Sequence, residues 1–317
     1  MKQLTLKQRY EIETLLKQKY LRSEIALAIG KDKSVITREL VRNGRIRVYH
    51  AQEAHQRALD RKRRNPYKLT AAIKKQVDEK LELKWSPEQI SQRLHKEGKE
   101  MVSHECIYRY VYDNRKEGGS LYQHLRWHRK KRRRRLNRKD RRGIIPNKIM
   151  IDQRPEIVNE RKRYGDWEAD TIIGAQHQKA ILTLVERKSK YTLAIKLPDR
   201  DKKTLRKKMI SIFKQSPLPV KTITSDNGKE FADHLTIAAQ LKTEFYFAQP
   251  GQAWQRGLNE NTNGLLRQFI PKKTNFDFIE DTHIKLYINL LNNRPRKSLN
   301  FLTPTEIVLR DFVAFDY

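Results

Sequence analysis

The sequence has a single cysteine, Cys106, and no apolar run of the ~18 residues that a membrane-spanning helix requires. One cysteine excludes a disulfide framework and a cysteine-rich zinc finger, and it is typical of a reducing, cytoplasmic setting. The residues that follow Met1 lack the apolar stretch of a secretory signal. We therefore expect a cytoplasmic protein with no membrane partner.

Acidic residues are scarce relative to basic ones. Lys and Arg number 69 and Asp and Glu only 37, which gives a net charge of +32. A positive charge of this size favours a polyanionic partner, and nucleic acid is the polyanion that fits a chain without membrane segments. The 317 residues suffice for two domains, or for one domain with appendages.

Residues 4–43 show the pattern of three short helices. Thr5 and Gln8 have the spacing of a capping box, and Ser23 and Ser34 are the expected N-caps of the second and third helices. Two short helices joined by a brief turn form a helix-turn-helix, whose last helix reads DNA. The alternative is a small bundle with a solvated basic face. The predicted DNA contacts on the third helix are Lys33, Ser34, Thr37, Arg38 and Arg42.

Residues 69–115 repeat this scheme. The segment Ser86-Pro87-Glu88-Gln89 combines a capping serine, a proline at the first helical position and a capping-box glutamine, and Ser103 is placed to begin another helix. We interpret the segment as a second helix-turn-helix, in which His104 and Arg109 are predicted to contact DNA. The alternative is a structural bundle packed around its tyrosines.

A block of positive charge follows. Twelve of the seventeen residues from 126 to 142 are basic. Such a block repels itself and cannot form a core, so it predicts a linker. The four central arginines are expected to follow DNA phosphates, with a solvated spacer as the alternative. These arginines are Arg132, Arg133, Arg134 and Arg135.

From Trp167 onward the pattern changes from helices to strands. Apolar, β-branched runs separated by short gaps predict the first three strands, and helical patterns then alternate with two shorter strands. This order is typical of an α/β layer architecture with a mixed sheet. The predicted strands are 167–174, 180–187, 191–197, 220–224 and 245–247; the predicted helices are 202–214, 230–241, one that carries Glu260, and one from Ile284 that precedes a turn at 294–297.

Three acidic residues stand at informative places in this pattern. Asp170 lies in the first strand, Asp226 directly follows the fourth, and Glu260 shares one helix stripe with Asn263 and Arg267. Carboxylates are hard ligands that suit Mg²⁺ or Mn²⁺, and such a site can hold two ions across a phosphodiester. Asn263 and Arg267 are predicted to contact DNA. Strand periodicity places two further acids, Asp166 and Glu168, on the face of Asp170, where they compete as the first carboxylate.

These motifs resemble the DDE transposases of the insertion-sequence-30 family, within the integrase-like, ribonuclease H-fold superfamily. The resemblance rests on Gly165–Thr171, Thr224–Phe231 and Asn259–Arg267, with 33 residues between Asp226 and Glu260. The N-terminal helices and the segment Asn293–Pro304 also fit the family. Two positions depart from it, where the family often has Gly and Glu; they are Ala169 and Gln255.

The resemblance implies a function for the whole chain. Asp170, Asp226 and Glu260 would be both the catalytic residues and the ligands of Mg²⁺ or Mn²⁺, with two ions expected. The partner would be double-stranded DNA, namely element ends and target, bound by a homodimer or higher oligomer in a bacterial, nucleoid-associated setting. The reaction would be strand cleavage and strand transfer. Two alternatives are a DNA-binding regulator with an inactive core and a ribonuclease that acts on RNA–DNA hybrids.

The sequence thus predicts a multidomain α plus α/β protein. N-terminal helix-turn-helix bundles would precede a ribonuclease H-like, integrase-core catalytic domain with a mixed sheet. The predicted divisions are a first helix-turn-helix domain at 1–64, a second at 65–125, a basic linker at 126–157, and the catalytic domain with its C-terminal helical segment at 158–317.

Overall fold

The computed structural model describes residues 4–43, 49–63, 69–126 and 145–313. The chain divides into two compact units, Met1–Lys68 and Leu69–Tyr317. The four linker arginines predicted to follow DNA phosphates lie outside the described residues. None of the helices in the described ranges is long and apolar enough to cross a membrane. The four-part domain division stays a prediction.

The first unit is helical. Its helices are α1 (Leu6–Lys17), α2 (Arg22–Ala28), α3 (Lys33–Asn43) and α4 (Ala51–Arg63). Apolar residues at helical spacing are fully buried between them, so the amphipathic pattern of the sequence accounts for this core. The buried Arg9–Glu39 ion pair, at 2.7 Å, ties α1 to α3. The largest fully buried side chains are those of Ile12, Ile25, Ile36 and Leu40.

Two of the predicted helix caps in this unit are wrong. The Thr5–Gln8 capping box is confirmed. α2, however, begins after Leu21, whose N–H donates to the Glu24 carboxylate at 2.7 Å. At α3 the Ser34 N–H donates to Oδ1 of Asp32 at 2.8 Å. Acidic side chains one or two residues away thus take the place of Ser23 and Ser34, because a carboxylate is the stronger acceptor for an unpaired helix N–H.

The second unit opens with three helices, α5 (Ala71–Glu82), α6 (Pro87–Lys96) and α7 (His104–Lys116). The capping box of Ser86 and Gln89 is confirmed, and Ser103 caps α7 by accepting the N–H of Cys106. Buried apolar side chains from all three helices form one cluster with the loop residue Trp85.

A six-stranded mixed sheet follows. Its strands are β1 (Ile149–Met150), β2 (Asp166–Ile173), β3 (Ala180–Glu186), β4 (Thr192–Leu197), β5 (Thr222–Ser225) and β6 (Glu244–Phe247). Their order in the sheet is β1-β6-β5-β2-β3-β4. β2, β3 and β4 pair antiparallel, whereas β2, β5, β6 and β1 pair parallel. This confirms the predicted ribonuclease H-like, mixed-sheet fold.

Helices cover both faces of this sheet. They are α8 (Ile157–Glu160), α9 (Lys202–Lys214), α10 (His234–Leu241), α11 (Gly257–Leu266), α12 (Asp281–Asn292) and α13 (Pro304–Val313). Alternation along β2 sends Trp167 and Ala169 into a core with α9 and α10, and Ile172 into a second core with α11 and α12. Glu168 and Asp170 share the periodicity of Ile172 and therefore face α11.

The predicted elements of this unit are confirmed with adjustments. The predicted helix at 230–241 is split into a 3₁₀ turn at Lys229–Phe231 and α10. The predicted C-terminal helical segment is two helices, because Pro295 cannot continue α12, which ends at Asn292, and α13 begins after a short turn at Lys297–Leu299. Two short elements were not predicted, namely β1, which lies within the predicted linker 126–157, and α8.

Candidate active site

Two of the predicted acids meet where β5 and its parallel pairing with β2 end. Glu168 of β2 is paired with Thr224 of β5 in the ladder. Asp170 and Asp226 each lie two residues further along, so the register brings them to the same level of the sheet. The carboxyl ends of parallel strands are the usual ligand-binding edge of an α/β sheet.

A guanidinium lies between these two carboxylates. Nη1 of Arg256 is 3.4 Å from Oδ1 of Asp170, and its Nη2 is 3.8 Å from Oδ2 of Asp226. The Arg256 side chain is 10% exposed, and its Nε has no hydrogen-bond partner in the described part of the chain. Arg256 is not among the predicted site residues, although it stands beside Gly257 and one helical turn before Glu260.

Hydrogen bonds fix the two carboxylates. The side-chain amide of Asn263 donates to Oδ2 of Asp170, and the N–H of Thr171 donates to Oδ1, both at 2.9 Å. Oδ1 of Asp226 accepts the N–H of Gly228 at 2.9 Å. Each aspartate therefore keeps one geometry before any ligand binds.

Burial raises the pKa of Asp170. The positive charge of Arg256 opposes this shift, and the neighbouring negative charge of Asp226 adds to it. The Arg256 cation therefore favours the ionised form of Asp170, which is the form that can bind a divalent ion.

Glu168 and Asp166 are paired within the protein. Glu168 is fully buried, forms a salt bridge with Arg187, and accepts the N–H of Asn259 at 3.0 Å. Asp166 is also fully buried and accepts hydrogen bonds from Arg163 and from the Thr222 hydroxyl, the latter at 2.8 Å. Asp170 is accordingly the β2 carboxylate that faces Asp226.

Glu260 is exposed on α11, one turn after Arg256. Among the residues that the structure describes, no three acidic, histidine or cysteine side chains come close enough to hold a metal ion together. The donor set nevertheless fits a hard divalent cation, because Asp170 and Asp226 offer carboxylate oxygens around a position that already holds the positive charge of Arg256.

A fourth acid borders this site. Glu230 is 7% exposed, its Oε1 accepts the hydroxyl of Thr171 at 2.8 Å, and its Oε2 lies 3.7 Å from Arg200. Gly228 separates it from Asp226, and a Cβ at Gly228 would lie 2.8 Å from the Glu230 carboxyl group and 3.0 Å from Asp226. Only glycine therefore fits between the two acids without a shift.

Comparison with known proteins places this arrangement in a family. The integrase core domain family matches residues 160–253, and a helix-turn-helix domain family matches residues 1–43. The transposase for insertion sequence element IS4351 of Bacteroides fragilis is 42% identical, over 99% of both chains. The transposase InsI for IS30A of Escherichia coli (strain K12) is 39% identical, over 99% of this chain and 85% of the relative. The chain belongs to the insertion-sequence-30 family of transposases.

The integrase core family match covers two of the three predicted acids. The integrase core match contains Asp170 and Asp226 and ends before Glu260, which lies beyond it on α11. A third relative in this transposase family, for element IS1086 of Cupriavidus metallidurans, is 35% identical over 96% of this chain and 94% of its own length. These relatives cover α11 as well as the sheet, so the likeness to insertion-sequence transposases extends over the whole site.

The residues predicted to contact DNA have different surroundings. On α3, Lys33, Ser34, Arg38 and Arg42 are exposed and Thr37 is half-buried. On α7, Arg109 is exposed and His104 is half-buried, 3.1 Å from Glu105.

The two predicted contacts on α11 bind protein atoms. Asn263 donates to Asp170 and accepts the hydroxyl of Thr183 at 2.9 Å. Arg267 donates to the carbonyls of Ile173 at 3.0 Å and Pro271 at 3.3 Å. Their DNA contacts stay predictions.

Proposed function

We propose that this chain is the transposase of an insertion sequence, which cuts a DNA strand at the element end and joins it to a target. The observation that supports this most directly is the meeting of Asp170 and Asp226 at one level of adjacent strands, around a buried cation. Nothing in the folding of the sheet requires two carboxylates to face each other there, since buried acids destabilise a core unless they are paired.

Asp170, Asp226 and Glu260 would hold Mg²⁺ or Mn²⁺, with two ions expected. A bound divalent ion would supply Lewis acidity, which activates a nucleophile and offsets negative charge on the phosphodiester. The protein contributes orientation: Asn263 and the N–H groups of Thr171 and Gly228 hold the carboxylates in place. Glu260, exposed on α11 one turn after Arg256, would complete the ligand set.

The helical modules would supply recognition. The exposed α3 residues Lys33, Ser34, Arg38 and Arg42 form a face suited to phosphates and base edges of a terminal inverted repeat. The net charge of +32 adds affinity for any DNA. A homodimer or higher oligomer on two element ends completes the proposal.

The test is cleavage and strand transfer with a labelled end of the element that encodes this chain, in Mg²⁺ or Mn²⁺. Glu260→Gln and Asp226→Asn should lose activity by orders of magnitude while DNA binding is retained. Glu100→Gln removes an exposed acid from the loop between α6 and α7, so this control should retain activity.

The competing functions give different results in the same assay. Tight binding of the element end without metal-dependent cleavage by the native protein would identify a DNA-binding regulator. Faster cleavage of an RNA–DNA hybrid than of the element end would identify a ribonuclease. Either result would overturn the proposal.

A further inference from the structure

A cavity of about 930 Å³ lies within the second unit, between the start of α6, α7, α11 and the turn after α12. Its volume is in the range of small-molecule sites, about 300–1,000 Å³. Aromatic side chains of Trp85, Tyr108 and Tyr112 form part of the lining, and arginines and a lysine form another part. None of these residues belongs to the acidic site described above.

Two of the arginines are buried without a negative partner. Arg294 is 3% exposed and Arg296 is 8% exposed. Arg294 donates to the side-chain oxygens of Gln89 at 2.9 Å and Gln268 at 2.7 Å, and Arg296 donates to the carbonyl of Leu291 at 3.0 Å. All of these acceptors are neutral, and within the described residues no carboxylate forms a salt bridge with either arginine.

Two buried arginines without a negative partner favour the binding of an anion. Burial and the nearby positive charges lower the pKa of Arg294 to about 9 and that of Arg296 to about 10. Nε of Arg296 is buried and has no hydrogen-bond partner in the described part of the chain. Buried cations without a counter-charge are unfavourable, and a bound phosphate would supply that counter-charge.

The start of α6 adds to the positive potential. Ser86, Pro87 and Glu88 line the cavity at the N-terminal end of this ten-residue helix, where the helix dipole favours an anion. The Glu88 carboxylate is already paired with Nζ of Lys297 at 2.6 Å. The acid of the cavity therefore does not neutralise the two buried arginines.

The aromatic side chains suit a base. Tyr108 and Tyr112 stack with ring centroids 6.2 Å apart and an interplanar angle of 17°, and Tyr112 is 47% exposed. Aromatic faces beside arginines are the usual means of binding single-stranded nucleic acid, because any base can stack on them.

The cavity adjoins the helix of the third acid. Asn261, which follows Glu260 on α11, lines it together with Leu265, and the Asn261 side chain accepts from Arg126 at 2.8 Å. We propose that this cavity binds a nucleotide of single-stranded DNA beside the cleavage site, with the phosphate on the arginines and the base on the tyrosines. The inference rests on the proposed function only in taking DNA as the substrate.

The test uses the full chain and a six-nucleotide single-stranded oligothymidylate that carries one 5-iodouracil. Irradiation should cross-link the probe to Tyr108 or Tyr112, as mapped by mass spectrometry. Tyr112→Leu should weaken binding of the probe about tenfold, whereas Tyr112→Phe, which keeps the ring, should bind like the native protein. Affinity for a blunt duplex of the element end should stay within about twofold in both variants, since stacking on Tyr112 needs an unpaired base.

A second pair of variants tests the charge. Lys297→Met removes a cation of the cavity and should lower the affinity for the probe. Lys75→Met removes an exposed cation on α5 and should leave that affinity unchanged. Circular dichroism checks that every variant is folded. Cross-links that map elsewhere, or equal probe affinity of Tyr112→Leu and the native protein, would overturn this inference alone. A native protein that binds neither duplex nor probe would overturn the proposed function as well.

Discussion

Arg256 lies between two carboxylates that would otherwise repel each other, and a divalent ion bound as proposed would lie between the same two carboxylates. Arg256→Gln should therefore bind Mn²⁺ about tenfold more tightly, which corresponds to about 1.4 kcal/mol, because the guanidinium no longer competes. The metal-free variant should melt a few degrees lower, since Asp170 and Asp226 then face each other unscreened. Electron paramagnetic resonance of free Mn²⁺ and thermal melting in chelator measure the two effects.

The control for Arg256 is Arg267→Gln. Arg267 lies at the end of the same helix but donates to the carbonyls of Ile173 and Pro271 rather than to the aspartates. Its Mn²⁺ affinity should match that of the native protein. Unchanged affinity and melting temperature in Arg256→Gln would show that the guanidinium does not compete for the site.

Gly228 is the second residue on which the geometry of the site depends. A methyl group there would meet the carboxyl groups of Glu230 and Asp226. Glu230 is buried and bonded to Thr171, so we expect Gly228→Ala to displace Asp226, to lower activity, and to destabilise the fold by about 1–3 kcal/mol. Urea unfolding and the cleavage assay measure this.

Gly257→Ala is the matched control, since a Cβ at Gly257 meets nothing within 4 Å at the start of α11. It should leave stability unchanged or raise it by about 0.5–1 kcal/mol. Equal behaviour of the two alanine variants would contradict the steric argument.

At the scale of elements, a salt bridge joins α6 to α13. Arg93 donates to Glu306 at 2.7 Å, and its hydrogen bonds are the main cause that lowers the pKa of Glu306 from its ordinary value near 4.5 to about 2. Because the folded-state pKa lies below the unfolded one, this stabilisation is complete above about pH 4.5 and is lost as the pH falls towards about 2.

Glu306→Gln should therefore lower the free energy of unfolding at pH 7, by no more than about 1 kcal/mol because solvent screens this partly exposed pair. The difference in free energy from the native protein should shrink below about pH 4. Urea unfolding between pH 7 and pH 3 measures this. Glu100→Gln, an exposed change in the loop after α6, should have the free energy of unfolding of the native protein at each pH. A deficit at pH 3 as large as the deficit at pH 7 would mean that packing, not charge, links the two helices.

Local signals in the sequence predicted most of the elements. The predicted bounds of α9 match the structure, and β2 is displaced by one residue, because helical periodicity and strand alternation are local signals. The predicted N-caps were wrong where several polar residues are neighbours, as at Ser23 beside Glu24. The roles of Arg256 and Glu230 could not be read from the sequence, since they depend on the register between β2 and β5 and on the placement of α11 against both strands.

At the scale of the whole molecule, net charge and sequence recognition make separate contributions to DNA binding. The net charge of +32 attracts any DNA, whereas only a face that contacts the bases distinguishes an element end. Both contributions depend on salt, but only the second depends on sequence. Neutralising the α3 face should therefore change both the salt dependence and the preference for the element end.

A triple variant, Lys33→Gln with Arg38→Gln and Arg42→Gln, tests this on α3. The slope of log affinity against log salt should fall in magnitude by about one for each lost phosphate contact, and the preference for the element end over random duplex should drop at least tenfold. The control removes the same charge from the exposed residues Lys203, Lys207 and Lys214 of α9, which packs on the sheet face opposite the acids. It should keep the preference for the element end. Equal loss of preference in both variants would place sequence recognition outside α3.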